Sequence, residues 1–247
     1  MHSLFRAPVF APRPAALWYT AAVAAAAAVF GTLLLLVVFG WDMLFRVDAR
    51  VARDLHEWLV DSPATTRTIR ILSDWVWDPN TFRLLTLALA VALWAAGNRR
   101  VAMWAAAVMA LGGLSGGLCK LAVARERPTF ADPVDTAEGF SFPSGHALNG
   151  VLGCGVLVIG LWPYLPRRAR PAVVAVAVVS AVGVGFTRIA LGVHYLSDVV
   201  AGWALGIVVL GVFWLAFELL WDPVEAEITP AAGPVIDLGR PEDRPPG

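Results

Sequence analysis

Long apolar runs separated by short polar links set the pattern of this chain. Six runs are candidates to cross a bilayer: Ala15–Gly40, Thr81–Gly97, Val101–Cys119, Ala147–Leu165, Ala172–Phe186 and Leu196–Trp221. A hydrocarbon core of about 30 Å takes roughly 20 residues of helix. The second and fifth runs are short, so their ends recruit flanking residues. Backbone polar groups cannot stay unpaired in lipid, which leaves helices as the form these runs take. The pattern predicts an all-α fold, a six-transmembrane-helix bundle. The first run has 26 residues, against about 7–15 for a signal-peptide core, and reads as a retained anchor.

Between the first two runs lies a polar stretch, Trp41 to Asn80. Leu44, Val47, Val51, Leu55 and Leu59 recur there at three and four residues. Arg46, Arg50, Arg53, Asp54 and Glu57 take most of the remaining positions. This predicts an amphipathic helix, either on the membrane surface or packed on the bundle. His56 falls on its polar face. Residues 1–14 form an N-terminal segment, 15–221 the membrane domain, and 222–247 a flexible tail with six prolines.

Glycine pairs Gly112/Gly116, Gly113/Gly117 and Gly202/Gly206 have the small-xxx-small spacing of close helix packing. Gly150, Gly153 and Gly155 sit inside an apolar run and follow no strand, so they read as packing and not as a nucleotide loop.

The links give an orientation. With the N-terminus inside, the inner segments carry Arg6, Arg13, Arg99, Arg100, Arg167, Arg168 and Arg170. The positive-inside rule then places both termini in the cytoplasm. It also places Lys120, His146 and the link between the last two runs on one extracytoplasmic face.

Composition narrows the class. The chain is 58% hydrophobic and 15% charged, with a mean hydropathy of +0.68 and no net charge. A soluble domain is nearer a quarter charged, and no global basic surface argues for nucleic acid. Cys119 and Cys154 lie in apolar stretches and read as small hydrophobes. Alanine and arginine richness associates the chain with a high-GC bacterium, and hence with its cytoplasmic membrane.

Three polar clusters stand out against the apolar runs: Lys120 with Arg127-Pro128, Pro143-Ser144-Gly145-His146, and Arg188 with His194 and Asp198. Charge near a bilayer is costly and marks a site by default. His194 and Asp198 are four apart and share a face if helical. A carboxylate fixes a histidine's tautomer and stabilises its imidazolium, and a histidine so held can attack phosphorus. Arg188 can grip two phosphate oxygens, although an isolated arginine at a helix end is more often a snorkelling anchor. Ser144 and Gly145 open a helix whose N-terminal amides bind anions; a plain helix cap would leave His146 without a role. A histidine beside a phosphate ester can protonate its leaving oxygen. Lys120 and Arg127, seven apart, can both offset phosphate charge, or form a basic flank to their helix.

Together these residues resemble the type 2 phosphatidic acid phosphatase superfamily. The family signature is Lys-x6-Arg-Pro, Pro-Ser-Gly-His and Ser-Arg-x5-His-x3-Asp; here Thr187 stands in place of the serine and keeps the hydroxyl. The resemblance runs from about the second apolar run to the sixth. It implies a six-helix membrane phosphatase with its site at the outer face. It makes Lys120, Arg127, Ser144, Gly145 and Arg188 phosphate binders, His194 the nucleophile, Asp198 its orienting partner and His146 the acid and base. It also implies that no metal or other cofactor is needed; Glu126, Asp132, Asp135 and Glu138 are scattered in the outer loop and read as solvated.

The expected partner is a lipid phosphate: undecaprenyl diphosphate, phosphatidic acid or phosphatidylglycerol phosphate. Activity should be bell-shaped with pH. Three rivals remain. A phosphotransferase would pass phosphoryl to a lipid or sugar acceptor. A transporter or binder would want ionisable groups at mid-membrane, where these runs have almost none. A soluble haloperoxidase shares the motifs but not the apolar runs.

Overall fold

The computed structural model describes the backbone of residues 13–221 and the side chains of 18–217. The tail at 222–247 and nearly all of the N-terminal segment lie outside these. Among the described residues the chain is helical, without strands. The helices are α1 (Arg13–Val38), α2 (Asp42–Val60), α3 (Pro63–Ile71), α4 (Pro79–Ala95), α5 (Arg99–Val123), α6 (Gly145–Leu161), α7 (Arg170–Ala190) and α8 (Leu196–Trp221). A π turn over Leu72–Val76 extends α3, and a 3₁₀ turn over Trp162–Tyr164 extends α6.

Their ends follow local chemistry. Asp78 accepts from Asn80 N–H at 2.7 Å and Pro79 opens α4. Asn98 accepts from Val101 N–H to start α5, and Ser144 from Ala147 N–H to start α6. Gly97, at φ +85°, turns the chain between α4 and α5 where a side chain would be strained.

Among the described residues, five segments are long and apolar enough to cross a membrane: Trp18–Val38, Arg99–Val123, Gly145–Tyr164, Arg170–Ala190 and Leu196–Phe217. The fifth predicted run, Ala172–Phe186, is lengthened at both ends. The second, Thr81–Gly97, becomes α4 with 17 residues. That is about 25 Å of helix, short of a full hydrocarbon core.

Helix α6 is the centre, packed by α4, α5, α7 and α8, with α1 lying along α8. Leu148, Leu152 and Val156 of α6 meet Trp104 and Val108 of α5 and Leu205 and Val209 of α8. Close approach uses the expected glycines in part. A Cβ on Gly112 or Gly116 would meet Leu152 or Leu148, and one on Gly202 would stand 2.6 Å from the Ser144 carbonyl oxygen. Gly113 and Gly117, expected to pack likewise, face open space. They lie one residue further round α5, off the seam.

The stretch between α1 and α4 holds two helices and a π turn. Helix α2 packs on α7 and α8. Its buried positions are Asp48, Ala52, His56 and Leu59, while Val47 is exposed. His56 is therefore not a polar-face residue. Its ring stacks on Phe130 at 3.8 Å, and Nε2 lies 3.3 Å from Asp132. Asp132 and Asp135 in turn are not merely solvated, since Asp135 stands 3.9 Å from Arg188.

Candidate active site

The C-terminal end of α5, the N-terminal ends of α6 and α8, and the C-terminal end of α7 meet at one end of the bundle. The link at 124–144 folds over them. It doubles back on itself: Ser141 N–H donates to Arg125 O at 2.8 Å, and Ser141 Oγ to Glu126 O at 3.0 Å. Ser144 N–H donates to Asp198 O at 2.9 Å, which ties α6 to α8 where both begin. All three polar clusters are thereby brought together.

His194 is at the centre and buried. Arg127 Nη1 donates to its Nε2 at 3.1 Å, so Nε2 carries the lone pair. The proton then sits on Nδ1, which faces Asp198 Oδ2 at 3.4 Å. Nδ1 makes no well-formed hydrogen bond there; such contacts often tighten only when substrate binds. Burial pushes the His194 pKa down to about 4; Asp198 opposes this, and Arg127 and Lys120 add to it. The ring is thus neutral, the form that can attack.

Arg127 is clamped by carbonyls: Nε to Gly139 O at 2.9 Å, Nη1 to Val193 O at 2.7 Å, Nη2 to Glu138 O and Phe140 O at 3.0 and 3.2 Å. Lys120 Nζ donates to Phe140 O at 2.6 Å, and its stem passes beside Gly145. Arg188 Nη1 donates to Ser73 Oγ at 2.7 Å, and Asp74 and Asp135 stand 3.7 and 3.9 Å away. Its Nε is buried without a partner. His146 Nε2 lies 3.9 Å from Asp78 Oδ2. His146 is within electrostatic reach of Arg188, His194, Arg127 and Lys120. Burial raises the Asp74 carboxyl pKa, with Asp135 adding to it and Arg188 opposing.

Cations, an anion-binding helix start and two histidines can therefore face one phosphate. The Thr187 hydroxyl is engaged elsewhere: it donates to Val184 O at 2.8 Å within its own helix. Sequence reasoning missed Asp48 and Arg125, which brace Asp198, and Ser73, Asp74 and Asp78, which flank Arg188 and His146. None of these sits at a telling spacing from the motifs. Asp48 is 149 residues from the Ser197 it contacts.

A family model described as the PAP2 superfamily matches residues 101–222. A decaprenylphosphoryl-5-phosphoribose phosphatase of Mycobacterium tuberculosis is 35% identical over 151 residues, which cover 60% of this chain and 78% of that protein. The chain belongs to the PAP2 superfamily. Two other relatives match over less than half their own length. Phosphatidylglycerophosphatase B of Bacillus subtilis is 40% identical over 34% of this chain and 42% of its own. An undecaprenyl-diphosphatase of Sulfolobus acidocaldarius is 31% identical over 41% and 45%. A crystal structure of a transmembrane PAP2-type phosphatidylglycerolphosphate phosphatase from Bacillus subtilis shares the fold. Its TM-score is 0.70 at 23% identity, covering 81% of this chain and 98% of that one. With five apolar helices among the described residues and a transmembrane PAP2 fold, this is a multi-pass membrane protein.

Proposed function

We propose that this PAP2 protein is a lipid phosphatase that cleaves a phosphate or diphosphate headgroup through a phosphohistidine at His194. The observation that carries the reading is the lone pair of His194 Nε2, 3.1 Å from a carbonyl-clamped Arg127. A phosphate replacing that contact would have Arg127, Lys120, Arg188 and the first amides of α6 around its oxygens.

His194 Nε2 bonds to phosphorus as the bond to the leaving oxygen breaks. His146 gives that oxygen a proton. Asp198 balances the charge on the imidazole ring. Water then attacks the phosphohistidine, loses its proton to His146, and releases inorganic phosphate with both histidines restored. Beyond the bond from Nε2 to phosphorus, the protein supplies placement and charge.

The lipid tail fits the apolar furrow between α4 and α5. Its upper part, about 410 Å³, is lined by Arg83, Thr86, Ala90, Ala106 and Met109. It continues past Trp94 and Ala102. Arg83 is five residues beyond Asp78, so the furrow starts beside the headgroup site. With α4 as the sixth span, met by local thinning of the bilayer or by recruited flanking residues, both termini are cytoplasmic. The arginines at 99, 100, 167, 168 and 170 lie at the end of the bundle opposite the site, which supports an extracytoplasmic active site in a bacterial plasma membrane.

The test is phosphate release by purified protein in detergent with EDTA. Phosphatidylglycerol phosphate, phosphatidic acid and undecaprenyl diphosphate are compared, with His194→Ala as control. Release that persists in EDTA and is lost in the variant is expected. Release that needs a metal, survives in His194→Ala, or appears only as phosphate on a lipid or sugar acceptor overturns the proposal.

A further inference from the structure

The Arg125 guanidinium joins Asp198 to two groups that the chemistry above does not use, Ser197 and Asp48. Nη1 donates to Asp198 Oδ1 at 2.6 Å and to Ser197 Oγ at 2.8 Å, and Nη2 donates to Asp48 Oδ2 at 2.8 Å. Asp48 also accepts from Ser197 N–H at 2.9 Å and from the Ser197 hydroxyl. A carboxylate from α2 thus sits on the first turn of α8, where the helix end favours negative charge. Asp48 is 1% exposed and Asp198 is 0% exposed. The rings of Phe45 and Tyr195 flank the guanidinium at 5.1 and 4.3 Å. Arg125 reaches this position because Ala124 ends α5 at φ +47°, a conformation few non-glycine residues adopt.

We propose that Arg125 and Asp48 are positioning residues for the reaction: Arg125 holds Asp198 so that Oδ2 faces His194 Nδ1, and Asp48 holds Arg125 and takes up part of its charge. The proposal rests on His194 being the nucleophile. A buried carboxylate needs a cation and hydrogen bonds to stay ionised in one orientation. Asp198 has Arg125 on one oxygen, while the other accepts from Tyr195 N–H at 2.9 Å. Only Oδ2 is left to meet the imidazole. One cation between two carboxylates leaves a net negative charge beside His194, which favours the cationic ring formed when Nε2 takes phosphoryl. Without Asp48 the whole Arg125 charge would fall on Asp198 and weaken that support.

The two residues therefore act on His194 with opposite signs. Removing the Arg125 charge makes protonation of His194 easier; removing the Asp48 charge makes it harder. The other groups facing His194 are Asp198 on α8, Lys120 on α5, His146 on α6 and Arg127 on the link, with Arg188 of α7 in reach of His146. All of these stay unchanged in the variants.

The experiment is kcat/KM against pH for full-length protein in detergent, on whichever of the three lipids above the wild type turns over fastest. Arg125→Gln is expected to lower kcat about 10–100-fold, the range for losing a group that orients a reactive one, with KM within about twofold. Its acid limb moves to higher pH. Asp48→Asn moves the acid limb to lower pH. Arg125→Lys, which keeps the charge, returns the limb toward the wild-type position. Limbs that stay in place, or that move together, overturn the proposal, because a merely structural defect scales the profile without shifting it. If Arg125→Gln does not fold, Asp48→Asn and Arg125→Lys decide on the same signs. Activity in His194→Ala would overturn the phosphatase reading beneath; a dead His194→Ala with unmoved limbs overturns only the positioning role.

Discussion

Gly202→Ala adds one methyl group where α8 crosses the start of α6, and its effect can be worked from the contacts there. The new Cβ would stand 2.6 Å from Ser144 O, 3.0 Å from Ala147 Cβ and 3.2 Å from Leu148 N. Two of these are backbone atoms, so no side chain can swing away. Carbon contacts are comfortable near 3.5 Å, so α8 must recede by roughly 0.9 Å. Such overpacking costs about 1–3 kcal/mol, and alanine returns about 1 kcal/mol as the better helix former. The net loss is about 1 kcal/mol, or about 2–4 °C in Tm for a chain of this size. The effect on turnover is larger. Ser144 N–H is bonded to Asp198 O at this crossing, so the shift separates His194 and Asp198 from the phosphate cradle. Misplacement by about 1 Å can cost 100-fold in rate, and a fall of about 10–100-fold in kcat is expected. Thermal unfolding in detergent and steady-state phosphate release check this. Gly117→Ala is the control: nothing lies within 4 Å of its Cβ, so Tm holds or rises and kcat holds. A Gly202→Ala protein with wild-type Tm and kcat would refute the reasoning, and the close crossing with it.

Further outcomes follow from the same geometry. His194 is held near pKa 4 by burial, and it attacks only when neutral. The acid limb of kcat/KM should therefore lie well below the usual histidine value of about 6.5, and a limb at 6.5 or above would contradict the burial argument. The same shift bears on stability. Between about pH 6.5 and 4 the unfolded chain binds the proton and the folded site does not, so the His194 contribution to stability declines as pH falls through that window; acid unfolding in detergent reads it. Thr187→Val should leave kcat within about twofold, because the hydroxyl bonds Val184 O in its own helix; a large loss would place that hydroxyl on the substrate. For topology, a cysteine at Thr136 in a variant lacking Cys119 and Cys154 should label with an impermeant maleimide from outside intact cells, and one at Arg168 only after permeabilisation; the reverse would invert the orientation.

Much of this was legible in the sequence because the relevant signals are local. Apolar length gave the helices of the bundle, and three short motifs gave the residues that gather at its end. Gly202 and Gly206 pack as their spacing implied. What was not legible depends on pairings across long stretches of chain. Asp48 looks like an ordinary polar residue of an amphipathic helix until α2 is laid against the start of α8. Arg125 looks like the flank of a motif until the left-handed turn at Ala124 sends it toward Asp198. His56 reads as a polar-face residue because its helix reads as amphipathic; Phe130 and Asp132, more than 70 residues on, give it a ring to stack on and a carboxylate partner. The same blindness explains Gly113 and Gly117, whose spacing suits packing but whose Cβ positions meet open space. Helix α4 stays as short as its apolar run because Asp78 and Pro79 start it and Gly97 turns the chain just beyond it, so its ends recruit almost no flanking residues.

The central claim is that phosphorus passes through His194. Acid-labile, alkali-stable label trapped from a phosphorus-labelled lipid in a single turnover tests it directly. The account predicts label on the His194 peptide that rises and decays with phosphate release and is absent in His194→Ala. Phosphate release at the wild-type rate with no label on that peptide would contradict it.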